Sequence, residues 1–241
     1  MAKRGGGRHR KRLNAPKIAV LKNRKTDIYL ATTSPGPHSS KAAVPLVVVL
    51  RDMLQKVGTF AEAKRIVNEG LVFIDGRVAK DVRLPVGFGD IVSFKNINDK
   101  YLAVYSGQGR MLFKPLGKDE GKEKIGKVVN KFLMPKGKIR ITLHDGKTLD
   151  ADNDVNIGYS VKVAVPENKI TGVIKLEPGV TCFIMKGKHI GNIGQLENIT
   201  AGTAAGGHAV AKIKTKDNVE IATRKDYIIA VDDEWVTVVS R

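Results

Sequence analysis

Gly121, Gly126 and Lys127 stand in the order GxxxxGK, the frame in which backbone N–H groups and a lysine cradle phosphates. Val128 occupies the place where Ser or Thr must hold magnesium, and no strand obviously precedes the loop, so a nucleotide-binding loop is set aside. Asp150, Asp152 and Asp154 alternate like the start of a calcium loop. Such a loop requires glycine at its sixth position and glutamate at its twelfth. Here those positions hold Val155 and Val161, which favours a solvated turn. His9, His38, His144, His189 and His208 are scattered, and none pairs with another at metal-ligand spacing. Cys182 sits in an apolar run, where a free thiol is inert filling. No serine or cysteine lies in a recognisable nucleophile motif. Neither a metal nor an organic cofactor is expected, and no catalytic residue is assigned. Phosphate chemistry of another kind remains. In FAEAKRIVNEGLVFIDGRVAKD, Lys64, Arg65 and Asn68 fall on the polar side of a helical pattern, and Arg77 and Lys80 follow a tight turn. Lysine binds a phosphate as a point charge, and arginine can do so through two hydrogen bonds.

The charge of the whole chain points the same way. Its 241 residues carry a formal net charge of +18, with a pI near 9.9. Ten basic residues precede the first acid, Asp27: Lys3, Arg4, Arg8, Arg10, Lys11, Arg12, Lys17, Lys22, Arg24 and Lys25. The remainder holds 32 basic and 24 acidic side chains. A run so dense in like charge has too few apolar residues to fold alone and suits a polyanion, nucleic acid before an anionic membrane. No apolar run approaches the roughly 20 residues that span a bilayer. A charged N-terminus without an apolar stretch does not read as a signal peptide, and one cysteine excludes an internal disulfide. The expected location is the cytoplasm.

Elements must hold these cations in place. TTSPGPHSSKAAVP reads as loop, carrying His38 and Lys41. Val44 to Val57 has helical apolar spacing and stops at Gly58. Thr59 and Glu62 form a capping box for the next helix. Its expected buried stripe is Phe60, Ala63, Ile66 and Val67, with Gly70 past its end. Leu71–Ile74 is a predicted strand, and Asp75-Gly76 predicts a type I′ hairpin turn. From Tyr101 onward short apolar runs alternate with turn signals such as SGQG, HDGK and PENK, through to a last predicted strand at Val236–Val239. Such spacing argues for small barrels or sandwiches. The expected fold class is α+β, mostly β.

Residues 42–105, with the NEG stop, the DGR turn and the later GDIVSF strand, resemble the alpha-L RNA-binding module. KLEPGVTCFIMKGKHIGNIGQLENI, residues 175–199, resembles a KOW motif, with Lys186 and Lys188 on its loop. RHRKRLNAPK and PGPHSSKAAVPLVVVLRD are similar to the start of the small-subunit ribosomal protein S4e family, which joins these parts in this order. The chain ends soon after Trp235, which resembles archaeal members. The resemblance implies a basic extension over 1–41, an alpha-L module over 42–105, a central β-domain over 106–172 and an SH3-like KOW barrel over 173–241. It implies a structural component of the small ribosomal subunit, not an enzyme. Its partners would be small-subunit ribosomal RNA and neighbouring ribosomal proteins, with no small-molecule substrate, no membrane and no homo-oligomer. Carried over by position, the resemblance implies RNA contacts at Arg8, His9, Arg10, Lys11, Arg12, His38, Lys64, Arg65, Arg77 and Lys80. The basic arm, the polar helix face and the two loops add Arg4, Lys17, Lys22, Arg24, Lys25, Lys41, Asn68, Lys186 and Lys188 as expected contacts. With aromatics at only 5% of the chain, phosphate and shape contacts are expected to dominate, with the arm ordering only around RNA. Two other function classes use the same parts. One is a transcription or RNA-chaperone factor built on the KOW barrel. The other is an RNA-modifying enzyme such as a pseudouridine synthase, for which the β-rich remainder offers no catalytic domain.

Overall fold

The computed structural model describes residues 7, 9–21, 25, 28–95, 97, 99–117, 120–202, 207–215 and 218–240. The chain divides into two compact units, residues 1–104 with 110–118, and residues 105–109 with 119–241. No helix among the described residues is long and apolar enough to cross a membrane.

The first unit begins with strand β1 (His9–Lys11), a 3-10 turn (Arg12–Asn14) and strand β2 (Tyr29–Ala31), which pairs antiparallel with β1. Dense charge predicted an arm that orders only around RNA. Instead, its described part is seated in the unit. Arg12 is buried against Asp52 at 2.8 Å, Ala15, Ile18, Ala19 and Leu30 are buried, and the Met111 N–H donates to the Ile18 carbonyl. The few apolar residues suffice because the rest of the unit supplies the partners that the segment itself lacks.

Strand β3 (Ala43–Pro45) leads into a single α-helical turn, α1 (Leu46–Val48), continued as a π-helical turn over Val49–Met53. The sequence predicted one helix from Val44 to Val57. Pro45 has no N–H and fits only at or before a helix start. Its strand pairs with β6 (Pro85–Gly87), Pro45 facing Pro85. Residues 43–50 are all buried, so their helical spacing reflects no exposed face. The widened turn is closed by the Leu54 N–H on the Val49 carbonyl, and Gln55 ends it at φ +53°.

Helix α2 (Phe60–Asn68) carries the expected capping box. The Glu62 N–H donates to Thr59 Oγ1 at 3.2 Å, while Glu62 Oε2 accepts from the N–H groups of Thr59 and Gly58. Ala63 and Val67 are buried and Ile66 half-buried, but Phe60 is 44% exposed and leaves the predicted stripe. At the first helical position a side chain leans back toward the N-terminus, where the helix has no preceding turn to pack it. Strands β4 (Val72–Ile74) and β5 (Arg77–Val78) follow as a hairpin. Asp75 and Gly76 both have positive φ, +48° and +71°, as a type I′ turn requires. Strands β7 (Ile91–Phe94), β8 (Lys100–Tyr105) and β9 (Met111–Leu116) complete a sheet ordered β5-β4-β7-β8-β9.

The second unit holds two five-stranded antiparallel sheets. The first comprises β10 (Glu123–Leu133), β11 (Ile139–Leu143), β12 (Thr148–Ala151), β13 (Ser160–Ala164) and β14 (Ile170–Ile174), ordered β12-β11-β10-β13-β14. Long β10 serves two partners, pairing with β13 up to Lys127 and with β11 from Val128, and an irregular register near Val129 marks the change. Val128, Ile141, Leu143, Leu149, Val155, Val161 and Val163 form its core. The second sheet comprises β15 (Thr181–Ile184), β16 (Ile193–Thr200), β17 (Val210–Thr215), β18 (Glu220–Arg224) and β19 (Ile228–Ala230), ordered β18-β17-β16-β15-β19. Cys182, Ile184, Leu196, Ile213 and Ile228 lie in its core. The strand predicted at Val236–Val239 is part of helix α3 (Asp233–Ser240). Asp233 and Glu234 favour the positive end of that helix, and the Thr237 hydroxyl donates back to the Asp233 carbonyl. Trp235 packs edge-on against Phe183 with ring centroids 5.2 Å apart.

Candidate nucleic-acid interface

Between Val44 and Val92 lie six carboxylates, and the fold engages every one. Asp52 holds Arg12 and Arg51. Glu62 caps α2. Glu69 pairs with Arg65 at 2.8 Å, one helical turn away. Asp75 accepts from the Ile91 N–H, Asp81 from the Arg83 N–H, and Asp90 from the Gly87 N–H. Most of these acids therefore close turns and caps. Cations lie on the outside. Lys64 and Asn68 are exposed on α2, and Arg77 and Lys80 are exposed at the β4–β5 hairpin and just beyond it. Arg65 is 81% exposed, with its Nε N–H donated to Glu69 and the rest of its guanidinium turned outward.

Among the expected contacts in the arm, Arg4, Arg8, Lys22 and Arg24 lie outside the described residues. His9, Lys11, Lys17, Lys25 and Lys41 are exposed, and Arg10 is half-buried. Two expectations need correction. Arg12 is 3% exposed in its ion pair with Asp52, so it anchors the arm and presents no charge to a ligand. The His38 side chain is 6% exposed and shares a 2.8 Å hydrogen bond with Asp90, which fixes the loop that carries it. In both cases a carboxylate 40 or more residues away claims the side chain from within.

In the second unit, Lys186 and Lys188 are exposed on either side of Gly187 in the loop between β15 and β16. Gly191, at φ +87°, closes that loop where a Cβ would come within 2.3 Å of the Ser106 carbonyl oxygen. Only glycine fits there. Lys127, from the GxxxxGK frame, behaves otherwise. It lies within β10, not in a loop, is 6% exposed, and donates from Nζ to the Lys225 carbonyl at 2.8 Å. Burial pulls its ammonium down to about 8, with Lys186 and Lys225 adding to the effect against Asp226. Lys124 is equally internal, 2.9 Å from buried Asp145. Burial alone would raise the Asp145 carboxyl, but Lys124 and the Lys147 N–H hold it below the ordinary carboxylate range. Cys182 is fully buried, and burial pushes its thiol up to about 12, far from nucleophilic use.

Residues 44–92 match the model of the S4 domain, and residues 97–170 match that of ribosomal family S4e. Small ribosomal subunit protein eS4 of Methanocella arvoryzae is 35% identical over 230 residues, covering 95% of this chain and 97% of its own. That of Methanosphaera stadtmanae is 31% identical, covering 99% of both. The chain belongs to ribosomal family S4e. A solved S4e structure agrees: 30S ribosomal protein S4e from Thermoplasma acidophilum superposes with a TM-score of 0.67 at 29% identity, over 79% of this chain and 95% of that one. The S4 domain of this S4e chain thus coincides with the segment whose carboxylates are all engaged.

Sequence reasoning missed Tyr29, which stands 56% exposed beside His9, with ring centroids 4.7 Å apart. No local pattern announces it: Ile28, Tyr29, Leu30 and Ala31 are all apolar, and only the pairing of β2 with β1 sends Tyr29 outward while Leu30 is buried.

Proposed function

We propose that this S4e chain is a structural component of the small ribosomal subunit that binds ribosomal RNA through phosphate and shape contacts. The observation that carries the reading is the division of charge in the S4 domain. Its carboxylates are engaged within the fold, while Lys64, Arg77 and Lys80 stand exposed and enter no ion pair among the described residues. Phosphates meet cations there with few competing anions. The exposed arm residues Lys11, Lys17 and Lys41 extend the surface within the first unit, and Lys186 and Lys188 provide a second contact from the β15–β16 loop. The relatives are named as small-subunit proteins over nearly the full length compared, which favours the ribosome as the site of action and neighbouring ribosomal proteins as further partners.

The test is a salt titration of the full chain on a small-subunit rRNA transcript, for the wild type and for Lys64→Ala with Lys80→Ala. Each phosphate contact removed lowers the slope of log K against log salt by about 0.7–0.9. The double variant is expected to lose roughly 1.5 from the slope, with circular dichroism unchanged. A wild-type titration that is flat in salt overturns the reading. Equal slopes for wild type and variant remove Lys64 and Lys80 from the interface.

A further inference from the structure

The β1–β2 hairpin has one face that no requirement of the fold explains. Lys11 is registered opposite Tyr29, and His9 opposite Ala31. Opposed residues share a face, as do alternate ones along a strand. His9, Lys11 and Tyr29 therefore point one way. Leu30, 3% exposed, points the other way into the unit. Aromatic residues are scarce in this chain, 13 of 241. Tyr29 is the most exposed of them among the described residues. Its ring meets the His9 imidazole at an interplanar angle of 73°. Leu13, 66% exposed, and Ile28, 72% exposed, stand beside the hairpin where the Arg12 N–H bonds the Ile28 carbonyl.

We infer that this face stacks one unpaired nucleotide of ribosomal RNA, the base against Tyr29 and His9 and an adjoining phosphate on Lys11. The inference rests on the RNA-binding reading above and adds to it a base contact on an otherwise phosphate-reading surface. Charge selects the occupant. The first 51 residues contain one acid, Asp27, against a dense run of cations, which suits a polyanion and repels a basic protein neighbour. Aromatic chemistry selects the state of the RNA. In an A-form helix the base faces are stacked on one another, so an exposed ring finds a base face only at a loop, bulge or end. Tyr and His rings are among the side chains on which such bases stack, and a neighbouring cation tracks the backbone.

The experiment compares wild type, Tyr29→Ala, Tyr29→Phe and Lys11→Ala, as full chains, on the small-subunit rRNA transcript at several salt concentrations. Uridine dodecamers with normal and abasic residues serve as minimal probes. Stacking on one base is worth about 1–3 kcal/mol, so Tyr29→Ala is expected to weaken transcript binding roughly 5- to 150-fold with no change in salt slope. Tyr29→Phe keeps the ring and stays within about twofold of wild type. Lys11→Ala instead lowers the slope by about 0.7–0.9. The wild type is expected to prefer the normal dodecamer over the abasic one, and Tyr29→Ala to lose that preference. Because Tyr29 is exposed, circular dichroism should show the alanine variant folded. If Tyr29→Ala binds as wild type while the wild-type salt slope persists, the stacking site is overturned and the RNA-binding reading stands. If the phenylalanine variant falls as far as the alanine one, the hydroxyl and not the ring is at work, and stacking is overturned. Full RNA affinity in Tyr29→Ala with poor incorporation into small subunits assigns the face to a protein neighbour and also overturns it. A wild type that fails to bind the transcript removes the RNA-binding reading itself, and the stacking site with it.

Discussion

Replacing Lys127 by methionine tests the electrostatics of the second unit, because this lysine is charged, buried and outside every proposed contact. Burial lowers its ammonium from 10.5 to about 8. Below pH 8 both folded and unfolded chains hold the proton, and the folded state carries the full penalty of an ammonium at 6% exposure. Between pH 8 and 10.5 the unfolded chain keeps the proton while the folded chain releases it. The unfolded state then binds more protons, so stability rises with pH across that window. At about 1.4 kcal/mol per pH unit, the full rise is roughly 3 kcal/mol. Cys182 works in the opposite direction. Its buried thiol keeps its proton to about 12, while an unfolded thiol loses it near 9, so above pH 9 it offsets the rise from Lys127 and the wild-type curve levels off. Both chains carry Cys182, but Lys127 itself lowers that thiol, so the difference between wild type and Lys127→Met reports the lysine most directly between pH 7 and 9, where the thiol keeps its proton. Methionine removes the buried charge but leaves the Lys225 carbonyl without the donor it has at 2.8 Å, which costs about 1–3 kcal/mol. The variant is therefore expected to match or exceed wild type at pH 7 and to fall behind it by pH 10.5. Urea unfolding followed by Trp235 fluorescence reports the right unit, as the single tryptophan packs on Phe183 there. A wild-type-minus-variant difference that stays flat from pH 7 to 10.5 would refute the account of a charged lysine held inside the fold.

Two further perturbations probe the first unit. Thr59→Ala removes the side-chain acceptor for the Glu62 N–H but leaves Glu62 on the N–H groups of Gly58 and Thr59; the loss should be about 1 kcal/mol, seen as a lower urea midpoint with rRNA affinity unchanged. Asp52→Ala strands Arg12 at 3% exposure without its 2.8 Å carboxylate. A cost of about 3–5 kcal/mol is expected, together with faster trypsin cleavage at Lys11 and Lys17, and unaltered cleavage there would show that the pair does not seat the arm.

What could be read in the sequence was what short-range chemistry dictates. Thr59 and Glu62 are three residues apart, and Asp75-Gly76 needs only its own two φ angles, so the cap and the type I′ turn were both legible. The alternating runs after Tyr101 gave strands, because period-two burial is a local pattern. Failures began where a partner lies far along the chain. Nothing near Arg12 announces Asp52, and nothing near His38 announces Asp90, yet these carboxylates turn two side chains expected at the surface into internal struts. Val44–Val57 misled for a related reason. A run buried on every side shows apolar residues at helical spacing whatever its backbone does, and Pro45 decides that it starts as a strand paired to Pro85–Gly87. At Val236–Val239 a short β-branched run looked like a strand, but no sheet edge takes it up, and acids at its head with Trp235 on Phe183 make it a helix.

The same distinction explains why net charge is a better guide to the proposed function than to the residues that would carry it. A charge of +18 says that a polyanion is near, whichever side chains carry it. It cannot say which cations the fold keeps for itself. Arg12, Lys124 and Lys127 are all buried, and Lys127 belonged to the most phosphate-like motif in the chain. The residues left outside are those whose local carboxylates already have other partners. Lys64 stands on α2 because Glu62 is turned to the cap and Glu69 to Arg65. Arg77 and Lys80 stand out because Asp75 and Asp81 accept backbone N–H groups. The proposed interface is thus set as much by where the acids go as by where the bases are, and that assignment exists only once the chain is folded.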